Sequence, residues 1–500
     1  MPHARTAPRL GAMPRRPMRV TDAERAPLAT ALRELRARTH VPGGFPPAVL
    51  EEAERAARRP RMPAYDATDV PLFTIDPPGS TDLDQAMYLA RRDAGGFRVY
   101  YAIADVGAFV APGGALDREA HERVVTLYYP DLRVPLHPPV LGEGAASLLP
   151  DHDRPAVLWR LDLDADGNVE RTDVRRAVVR SRARLDYAGV QRALDSGTAE
   201  EPLSLLREVG RLREGLERTR GGVSLNVPEQ EVVRRADGRY ALEYRAPLPA
   251  EGWNAQISLM TGTAAAQLML TAGTGVLRTL PAAPESAVAR LRRVARALGV
   301  TWPEAMPYAV VVRALDPRHP QHAAFLQECT ALLRGAGYAA FDRDRPSELP
   351  PPAAPVHAAL AAPYAHCTAP LRRLVDRYTS ELCLAAVAGT AAPEWVRAAL
   401  DALPAEMERG GRRAGEAERE CVDLVEAALL RDRIGEVFDG YVVDVVESRP
   451  TAGRVHLYDP AVIGHVEGDG DGPPLPLGRR MRVRVIEANP GREKVWFAPA

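Results

Sequence analysis

The sequence predicts an α+β protein with several domains: a small helical domain, a mixed α/β domain and a C-terminal five-stranded barrel. Three observations lead to this prediction. The chain has 500 residues, which corresponds to about two to four domains of ordinary size. Apolar residues first recur at helical spacing, and from about residue 66 strand-like and helix-like segments alternate. Five short strand-like segments then follow from residue 435 onwards, as is typical of an OB-fold.

The composition is that of a globular protein. Hydrophobic residues make up 46% and charged residues 26% of the chain, which excludes a wholly disordered or fibrous protein. No apolar run approaches the roughly 20 residues that span a bilayer, and no charged start followed by an apolar core indicates a secretory signal. We therefore expect a cytoplasmic protein with no membrane partner. The net charge of −1 gives no general indication of a nucleic-acid binder.

The first 65 residues are predicted to hold a leader and two helices. Residues 1–20 contain five arginines and four prolines among mostly small residues, which predicts a disordered leader. Helices are expected over about residues 21–39 and 47–58, separated by the breaker at 41–44. Residues 21–65 then form either a helix-turn-helix-like domain, which suits nucleic acid, or a helical hairpin packed on the next domain.

Residues 66–433 are predicted to form the mixed α/β domain. Residues 97–104 alternate as a strand, and hairpins are expected over 158–180 and 232–244, each around an Asp-Gly turn. Helices are expected at about residues 184–196, 200–219, 253–274, 284–298, 322–334 and 370–388. From residue 434 the expected strands are 437–447, 454–458, 464–467, 481–488 and 494–497. The barrel is therefore a separate C-terminal domain.

Residues 74–85 carry the clearest indication of chemistry. They place three carboxylates, Asp76, Asp82 and Asp84, and the carboxamide of Gln85 within ten residues. On extended backbone the alternation points Asp82 and Asp84 to one face. Carboxylates held this close raise each other's pKa unless a cation neutralises them, and hard divalent ions such as Mg²⁺ bind through such oxygens. A polar surface loop with scattered Asp fits the spacing equally well, so other segments are needed to distinguish a metal site from such a loop.

Six segments, in this order, resemble the ribonuclease II / ribonuclease R (RNB) family of exoribonucleases. They are residues 74–85, 101–106, 127–135, 147–148, 220–229 and 364–376. The first resembles the acidic signature T-I-D-x-x-x-x-x-D-x-D-D, and the last resembles Y-x-H-F-T-S-P-I-R-R-Y-x-D. The C-terminal barrel is similar to an S1 RNA-binding domain. About 65 residues precede the first block, too few for the tandem cold-shock domains that members usually carry there.

The resemblance implies a fold, an activity and partners. Residues 66–433 correspond to the RNB catalytic domain and residues 434–500 to the S1 domain. The implied activity is that of a Mg²⁺-dependent, processive 3′→5′ exoribonuclease, which hydrolyses single-stranded RNA to nucleoside 5′-monophosphates. The implied cofactor is Mg²⁺, as one ion or two, with Mn²⁺ as a substitute. The implied partner is the 3′ end of single-stranded RNA, bound by a monomer.

The resemblance also assigns roles within the acidic stretch. Asp76, Asp82, Asp84 and Gln85 take the positions of the metal ligands, and Asp84 is expected to be most essential to turnover. Gln85 stands where the family usually has a fourth Asp. A carboxamide oxygen still ligates Mg²⁺ but brings no negative charge, so we expect metal binding that is weakened and not abolished.

Three further residues take family positions that touch RNA. Arg372 is the expected catalytic partner of Asp84, with its guanidinium forked to the scissile phosphate. Arg373 is expected to contact RNA beside it or to have a structural role. Tyr128 matches the tyrosine that stacks on the last base. His366 is expected to make a positioning hydrogen bond, which fits it better than metal binding.

Two other functions stay open on the sequence. An RNB-fold protein that has lost catalysis and holds RNA or a partner is motivated by Gln85. A helix-turn-helix regulator in which residues 21–60 dominate fits less well, because most of the chain matches nuclease blocks.

Overall fold

The computed structural model describes most of the chain. The described residues are 26–38, 41–129, 131–223, 225, 227, 229–234, 240–333, 335–446, 448–457, 459–460, 462–489 and 495–500. The predicted leader lies outside them, as do the start of the first predicted helix and the turn of the predicted hairpin over 232–244.

Helices and strands alternate through the described residues, which confirms the predicted α+β class. The α-helices are α1 (Ala26–Arg38), α2 (Pro47–Arg58), α3 (Ala115–Arg123), α4 (Tyr187–Ser196), α5 (Glu201–Arg220), α6 (Pro249–Ala272), α7 (Glu285–Ala297), α8 (Tyr308–Arg313), α9 (Pro320–Cys329), α10 (Leu374–Ala388), α11 (Glu394–Ala399) and α12 (Leu403–Leu430). The strands are β1 (Leu72–Asp76), β2 (Gln85–Arg91), β3 (Phe97–Ala104), β4 (Leu127–Tyr128), β5 (Arg133–Val134), β6 (Asp153–Leu163), β7 (Val169–Asp186), β8 (Glu229–Arg234), β9 (Tyr240–Arg245), β10 (Thr274–Thr279), β11 (Gly337–Asp342), β12 (Val356–His357), β13 (Ala362–Pro363), β14 (Val437–Val446), β15 (Arg449–Leu457), β16 (Ile463–Glu467), β17 (Arg480–Glu487) and β18 (Trp496–Pro499). None of the helices in this part of the chain is long and apolar enough to cross a membrane.

Five strands close the central domain into a barrel, in the order β1-β2-β3-β6-β7. The pairs β1–β2, β2–β3, β3–β6 and β6–β7 are antiparallel, whereas β7 returns parallel to β1 and closes the ring. The strand predicted over 97–104 is β3, and the hairpin predicted over 158–180 is formed by β6 and β7. Gly167 turns that hairpin with a φ of 84°, which glycine adopts without a steric penalty.

Successive residues of the barrel strands point into two different core clusters. Tyr101 and Trp159 lie in one cluster, together with residues of α6 and α10. Their neighbours Ala102 and Leu158 lie in the other, together with residues of α2. This is the two-residue period of a strand covered on both faces. Core residues therefore pack on both faces of these barrel strands.

The two N-terminal helices are present, and each packs on the central domain. Leu32 and Leu35 of α1 lie in a cluster with residues of α12 and β4. Val49 and Ala53 of α2 lie in a different cluster with residues of α3. Both helices thus pack on the central domain, each in its own core cluster.

The pairing of β10 with β11 was not predicted. The strands are antiparallel, with Thr274 facing Asp342 and Thr279 facing Gly337. The helix predicted over 253–274 ends earlier, because Gly273 takes the left-handed conformation with a φ of 79° and β10 begins directly after it. The partner strand comes from a distant segment, so local alternation does not reveal it.

The C-terminal domain is a closed five-stranded barrel, as predicted, with strand order β14-β15-β16-β18-β17. Val425 and Leu430 of α12 share a core cluster with Val442 and other barrel residues. Nη2 of Arg454 in β15 lies 3.1 Å from Oε1 of Glu328 in α9. Apolar packing and an ion pair therefore attach this barrel to the central domain.

Candidate active site

The predicted acidic residues lie on one loop of the central barrel. Asp76 is the last residue of β1 and Gln85 is the first of β2, with Asp82 and Asp84 in the connection between them. The turn after Asp76 uses Gly79 at a φ of 79°, a conformation that other residues rarely adopt. The barrel hairpin therefore presents all four predicted ligands at one end.

Ser147 holds this acidic loop in place. Its Oγ accepts a hydrogen bond from the N–H of Leu83 at 2.9 Å and donates to the carbonyl of Thr81 at 2.7 Å. The N–H of Leu148 donates to the carbonyl of Leu83 at 3.0 Å. The segment 147–148, singled out by its family resemblance, thus fixes the loop that carries the acids.

Arg372 lies in a tight turn that closes against Asp84. The N–H groups of Arg372 and Arg373 both donate to the carbonyl of Ala369, at 3.2 and 3.0 Å. Oδ1 of Asp84 accepts a hydrogen bond from the N–H of Leu371 at 2.8 Å. Its Oδ2 lies 3.3 Å from Nε of Arg372. The structure therefore brings together the two residues predicted to be catalytic.

Backbone hydrogen bonds hold the segment that leads to Tyr128 against the turn that contains Arg372. The N–H of Thr126 donates to the carbonyl of Arg372 at 3.0 Å, and the N–H of Leu374 donates to the carbonyl of Val124 at 2.9 Å. Tyr128 follows in β4 and is half-buried. Val124, directly after α3, has a φ of 66°, which strains a β-branched residue. The two pairings hold this strained bend, which directs the chain from α3 towards the arginine turn.

The acids, Arg372 and Tyr128 share one electrostatic environment. Burial raises the pKa of Asp76 to about 7 and the pKa of Asp84 to about 8, while the charge of Arg372 opposes both shifts and that of Asp82 adds to them. Burial also raises the pKa of Tyr128 to about 12, again against the effect of Arg372. Carboxyl groups with a pKa near neutrality are concentrated at functional sites.

Two domain families match the chain. Residues 64–389 match the RNB domain. The chain belongs to the RNB family. Residues 436–500 match the RNase II-type exonuclease C-terminal S1 domain. The family resemblance expected from the sequence is therefore confirmed for both domains.

This RNB protein is homologous to proteins named Ribonuclease R. Ribonuclease R of Escherichia coli (strain K12) is 28% identical over 508 residues, an alignment that covers 92% of this chain and 61% of that protein. The chain spans 58% to 61% of the length of this and three other bacterial relatives of the same name.

Solved structures share the fold of this RNB protein. Mycoplasma genitalium RNase R in complex with ribose methylated single-stranded RNA matches with a TM-score of 0.81 at 18% identity, over 95% of this chain and 78% of that chain. Yeast Ssd1, a pseudonuclease, matches with a TM-score of 0.67 at 16% identity, over 92% of this chain and 57% of that chain. The shared fold thus includes at least one protein described as lacking nuclease activity.

Asp82 of the RNB site is neutralised by a neighbour. Its Oδ1 lies 2.5 Å from Nη1 of Arg133, whose Nη2 lies 2.5 Å from Oε1 of Glu143. Glu143 also accepts a hydrogen bond from Oγ1 of Thr81 at 3.0 Å. Because Arg133 belongs to β5, these contacts tie the acidic loop to the hairpin that carries Tyr128.

The carboxamide of Gln85 is held by two neighbours. Its Oε1 accepts a hydrogen bond from the hydroxyl of Tyr101 at 2.8 Å, and its Nε2 donates to the carbonyl of Thr368. The oxygen and the nitrogen of the carboxamide thus each make a hydrogen bond to the protein. These contacts do not support the expectation that Gln85 is a ligand.

Arg373 and His366 pack within the arginine block. Nε and Nη2 of Arg373 donate to the two carboxylate oxygens of Asp376, both at 2.8 Å, as a bidentate fork. Asp376 also accepts from the N–H of Ala369 at 2.7 Å. Nδ1 of His366 lies 2.7 Å from the hydroxyl of Tyr338, which is a hydrogen bond of the kind expected for this histidine. Of the two roles considered for Arg373, these contacts favour the structural one.

The predicted metal ligands fit a divalent cation in part. Within the described ranges, no three or more His, Cys, Asp and Glu side chains form a cluster suited to a metal ion. Asp76 and Asp84 nevertheless have the appropriate chemistry, because burial raises the pKa of both in spite of Arg372. A divalent cation supplies the positive charge that such buried oxygen ligands lack. Asp76 and Asp84 therefore have the chemistry that fits Mg²⁺, although Asp84, like Asp82 and Gln85, also contacts protein groups.

Sequence reasoning missed the partners of these residues. Arg133 and Tyr101 lie inside segments that resemble the family, and Asp376 ends the arginine block. The family resemblance thus indicated that these positions matter, but the neighbouring sequence did not indicate which side chain each residue contacts. Only the pairing of β4 with β5 and of β2 with β3 brings them to the acidic loop.

Proposed function

We propose that this RNB protein is a Mg²⁺-dependent, processive 3′→5′ exoribonuclease that hydrolyses single-stranded RNA to nucleoside 5′-monophosphates. The observation that carries the proposal is the contact between Asp84 and Arg372 beside Tyr128. Homology to proteins named Ribonuclease R supports an exoribonuclease. Exoribonucleases of the RNB family generally depend on divalent metals, which supports Mg²⁺ as the cofactor.

Arg372 provides positive charge at the reacting phosphate. Its guanidinium is a rigid fork that matches two phosphate oxygens, and it stabilises the negative charge that develops on them in the transition state. Asp84 orients this group through Nε and fixes the turn through Leu371. Burial raises the pKa of the Asp84 carboxyl to about 8, so a cation bound beside it would favour the ionised form.

Asp76 and Asp84 are the residues that fit the metal. A divalent ion held between them would supply an activated water at neutral pH and charge for the phosphate. The acidic loop positions both carboxylates, because Ser147 fixes its backbone at Thr81 and Leu83. The chain itself thus contributes two buried carboxyl groups and the guanidinium of Arg372 at one site.

Tyr128 provides a stacking surface for the last base. A ring face stacks on any base with about 1–3 kcal/mol, so the choice of substrate depends little on sequence. Arg133 links this hairpin to Asp82, which holds the base and the scissile phosphate in register. The C-terminal barrel matches an S1 domain and would hold RNA upstream of the site between successive cleavages, which accounts for processivity.

A second candidate is an RNB-fold protein that binds RNA without cleaving it. The observation that favours it is that three of the four predicted ligands contact protein groups: Asp82 contacts Arg133, Asp84 contacts Arg372, and Gln85 contacts Tyr101. The two functions differ in one measurable property, which is whether bound RNA is shortened.

The test is to incubate the purified chain with 5′-labelled oligo(A) and Mg²⁺, with a parallel reaction in EDTA. Cleavage from the 3′ end gives a ladder that ends at a few nucleotides, and EDTA abolishes it. When an excess of unlabelled RNA is added after binding, a processive enzyme still degrades the bound labelled RNA to the end product. Tight binding of RNA that stays intact would instead support the second candidate.

A further inference from the structure

The carboxamide of Gln85 lies in a ring of polar residues, which it forms with Tyr101, Ser258 and Thr368. The hydroxyl of Tyr101 donates to Oε1 at 2.8 Å, and Nε2 donates to the carbonyl oxygen of Thr368. Oγ of Ser258 lies 2.8 Å from Oγ1 of Thr368, and Ser258 also lies near the hydroxyl of Tyr101. The ring therefore joins β2, β3, α6 and the arginine block.

One assignment of donors satisfies every member of this ring. A carbonyl oxygen only accepts, so Gln85 presents its NH₂ group to Thr368 and its oxygen to Tyr101. The hydroxyl of Tyr101 then donates to Gln85, and the hydroxyls of Ser258 and Thr368 share a hydrogen bond. Tyr101, Ser258 and Thr368 are buried, and a fully satisfied polar network fixes its members in a buried setting.

Only a carboxamide of this length closes the ring at position 85. An ionised carboxylate has no donor, so at this position it would face the carbonyl of Thr368 and replace a hydrogen bond by repulsion. An Asp side chain is also shorter by one methylene. The residue that the family usually has here is therefore incompatible with the contacts that Gln85 makes.

Gln85 and Asp84 hold the two ends of one turn. Gln85 donates to the carbonyl of Thr368, and Asp84 accepts from the N–H of Leu371. The turn leads directly into Arg372. We propose that Gln85 is a positioning residue, which fixes the turn over 368–371 and thereby aims Arg372, and that it does not ligate the metal ion in this chain.

The effect on catalysis rests on the proposed function, whereas the positioning itself does not. Two variants of Gln85 separate the possible roles. Gln85→Met keeps the length of the side chain and removes both hydrogen bonds and any metal ligand. Gln85→Asp installs the residue that the family usually has. For each we would measure amide hydrogen exchange over 368–373, the melting temperature, kcat, KM and the Mg²⁺ concentration at half-maximal rate.

Gln85→Met is expected to loosen the turn without changing the metal requirement. Amide exchange over 368–373 becomes faster, and the melting temperature falls by a few degrees. kcat falls about 10- to 100-fold because Arg372 is displaced, while KM and the Mg²⁺ midpoint stay within about threefold of the parent. Gln85→Asp lowers kcat in the same way and does not reduce the Mg²⁺ requirement.

Two results would overturn the proposal. One is a Gln85→Asp variant that needs less Mg²⁺ than the parent while exchange over 368–373 is unchanged. The other is a Gln85→Met variant whose Mg²⁺ midpoint rises about tenfold or more with no change in exchange. Exchange and melting do not require RNA cleavage, so a failure of the proposed activity is distinguishable from a failure of the positioning role.

Tyr101→Phe provides a second route that leaves residue 85 untouched. It removes one hydroxyl from the ring and is expected to shift exchange and melting temperature in the same direction as Gln85→Met. Because both changes break one network, the double variant shows less than the sum of the two single effects. Additive effects would mean that Gln85 and Tyr101 act independently, which contradicts the ring.

Discussion

Oδ2 of Asp84 lies 3.3 Å from Nε of Arg372. The acid follows the first strand of the central barrel and the arginine precedes α10, so only the folded chain brings them together. Both side chains are largely buried, and Arg372 alone does not offset the cost of burial, because the pKa of Asp84 still rises to about 8. Because Arg372 does not fully offset the cost of burying these carboxyl groups, the site favours a further cation at Asp76 and Asp84. It also favours a phosphate at Arg372.

Arg372→Lys is expected to slow cleavage much more than it weakens binding. Lysine keeps the positive charge and loses the planar fork that fits two phosphate oxygens. In steady-state kinetics on oligo(A), kcat falls about 100- to 1000-fold, and KM changes by less than about fivefold. Arg180→Lys, at a partly exposed ion pair with Asp153, is the matched control and leaves both unchanged. A variant with the parent's kcat would remove Arg372 from the reaction.

Tyr128→Ala is expected to weaken RNA binding, whereas Tyr128→Phe retains it. Loss of one base stack costs about 1–3 kcal/mol, which corresponds to about a 5- to 150-fold higher Kd. The Kd of labelled oligo(A) is measured by fluorescence anisotropy in an Asp84→Asn background, so that the RNA stays intact. Equal losses for Ala and Phe would assign the contribution to the hydroxyl, and stacking would be refuted.

Much of the fold follows from local patterns in the sequence. The strand expected over 97–104 has those bounds in the structure, because its side chains alternate between two faces that both pack in core clusters. The five strands of the C-terminal barrel lie near their expected positions, because buried and more exposed residues tend to alternate along strands such as β17. The parallel closure of β1 with β7 and the pairing of β10 with β11 were not predictable, since each depends on two distant segments.

The sequence predicted which residues form the candidate site, but it did not predict the contacts that these residues make. Family resemblance placed Asp84, Arg372 and Tyr128 together, and the structure shows that they share one environment. The family resemblance also placed Gln85 among the metal ligands. The ring with Tyr101 could not be anticipated, because the partner of a polar side chain is set by strand register, which the sequence of one strand does not contain.

Arg373→Gln is expected to destabilise the fold more than it affects RNA. Its guanidinium forks onto Asp376, which is fully buried. Removal of one partner of a buried ion pair leaves an uncompensated charge and costs about 3 kcal/mol or more. Chemical denaturation therefore gives a lower free energy of unfolding, while the folded variant binds RNA with nearly the parent's Kd. Unchanged stability with weakened RNA binding would support the RNA contact inferred from the resemblance.

His137 is expected to make the protein sensitive to acid. Burial lowers the pKa of His137 to about 4, and the charges of Arg377 and Arg123 act in the same direction. Because the folded pKa lies below the unfolded value of about 6.5, the stability from the neutral imidazole is present above pH 6.5. It is lost as the pH falls towards 4, by about 2 kcal/mol between pH 7 and pH 5.

His137→Gln removes this titration. The free energy of unfolding, measured by denaturant titration at pH 7 and pH 5, therefore falls less in His137→Gln than in the parent. His152→Gln, at an exposed histidine, is the control and behaves as the parent does. Equal pH dependence of parent and His137→Gln would show that His137 is not buried in its neutral form.

The central claim is that Asp84 and Arg372 form a hydrolytic site. The most direct measurement is single-turnover release of the 3′-terminal nucleotide from oligo(A) labelled at its last phosphodiester, by the parent and by Asp84→Asn. Asparagine still accepts a hydrogen bond from Leu371, so the turn is kept and the negative charge is lost. The parent is predicted to release labelled nucleoside 5′-monophosphate first, and the variant at least about 100-fold more slowly at nearly equal RNA affinity. A parent that binds this RNA and releases nothing, or a variant as fast as the parent, would contradict the account.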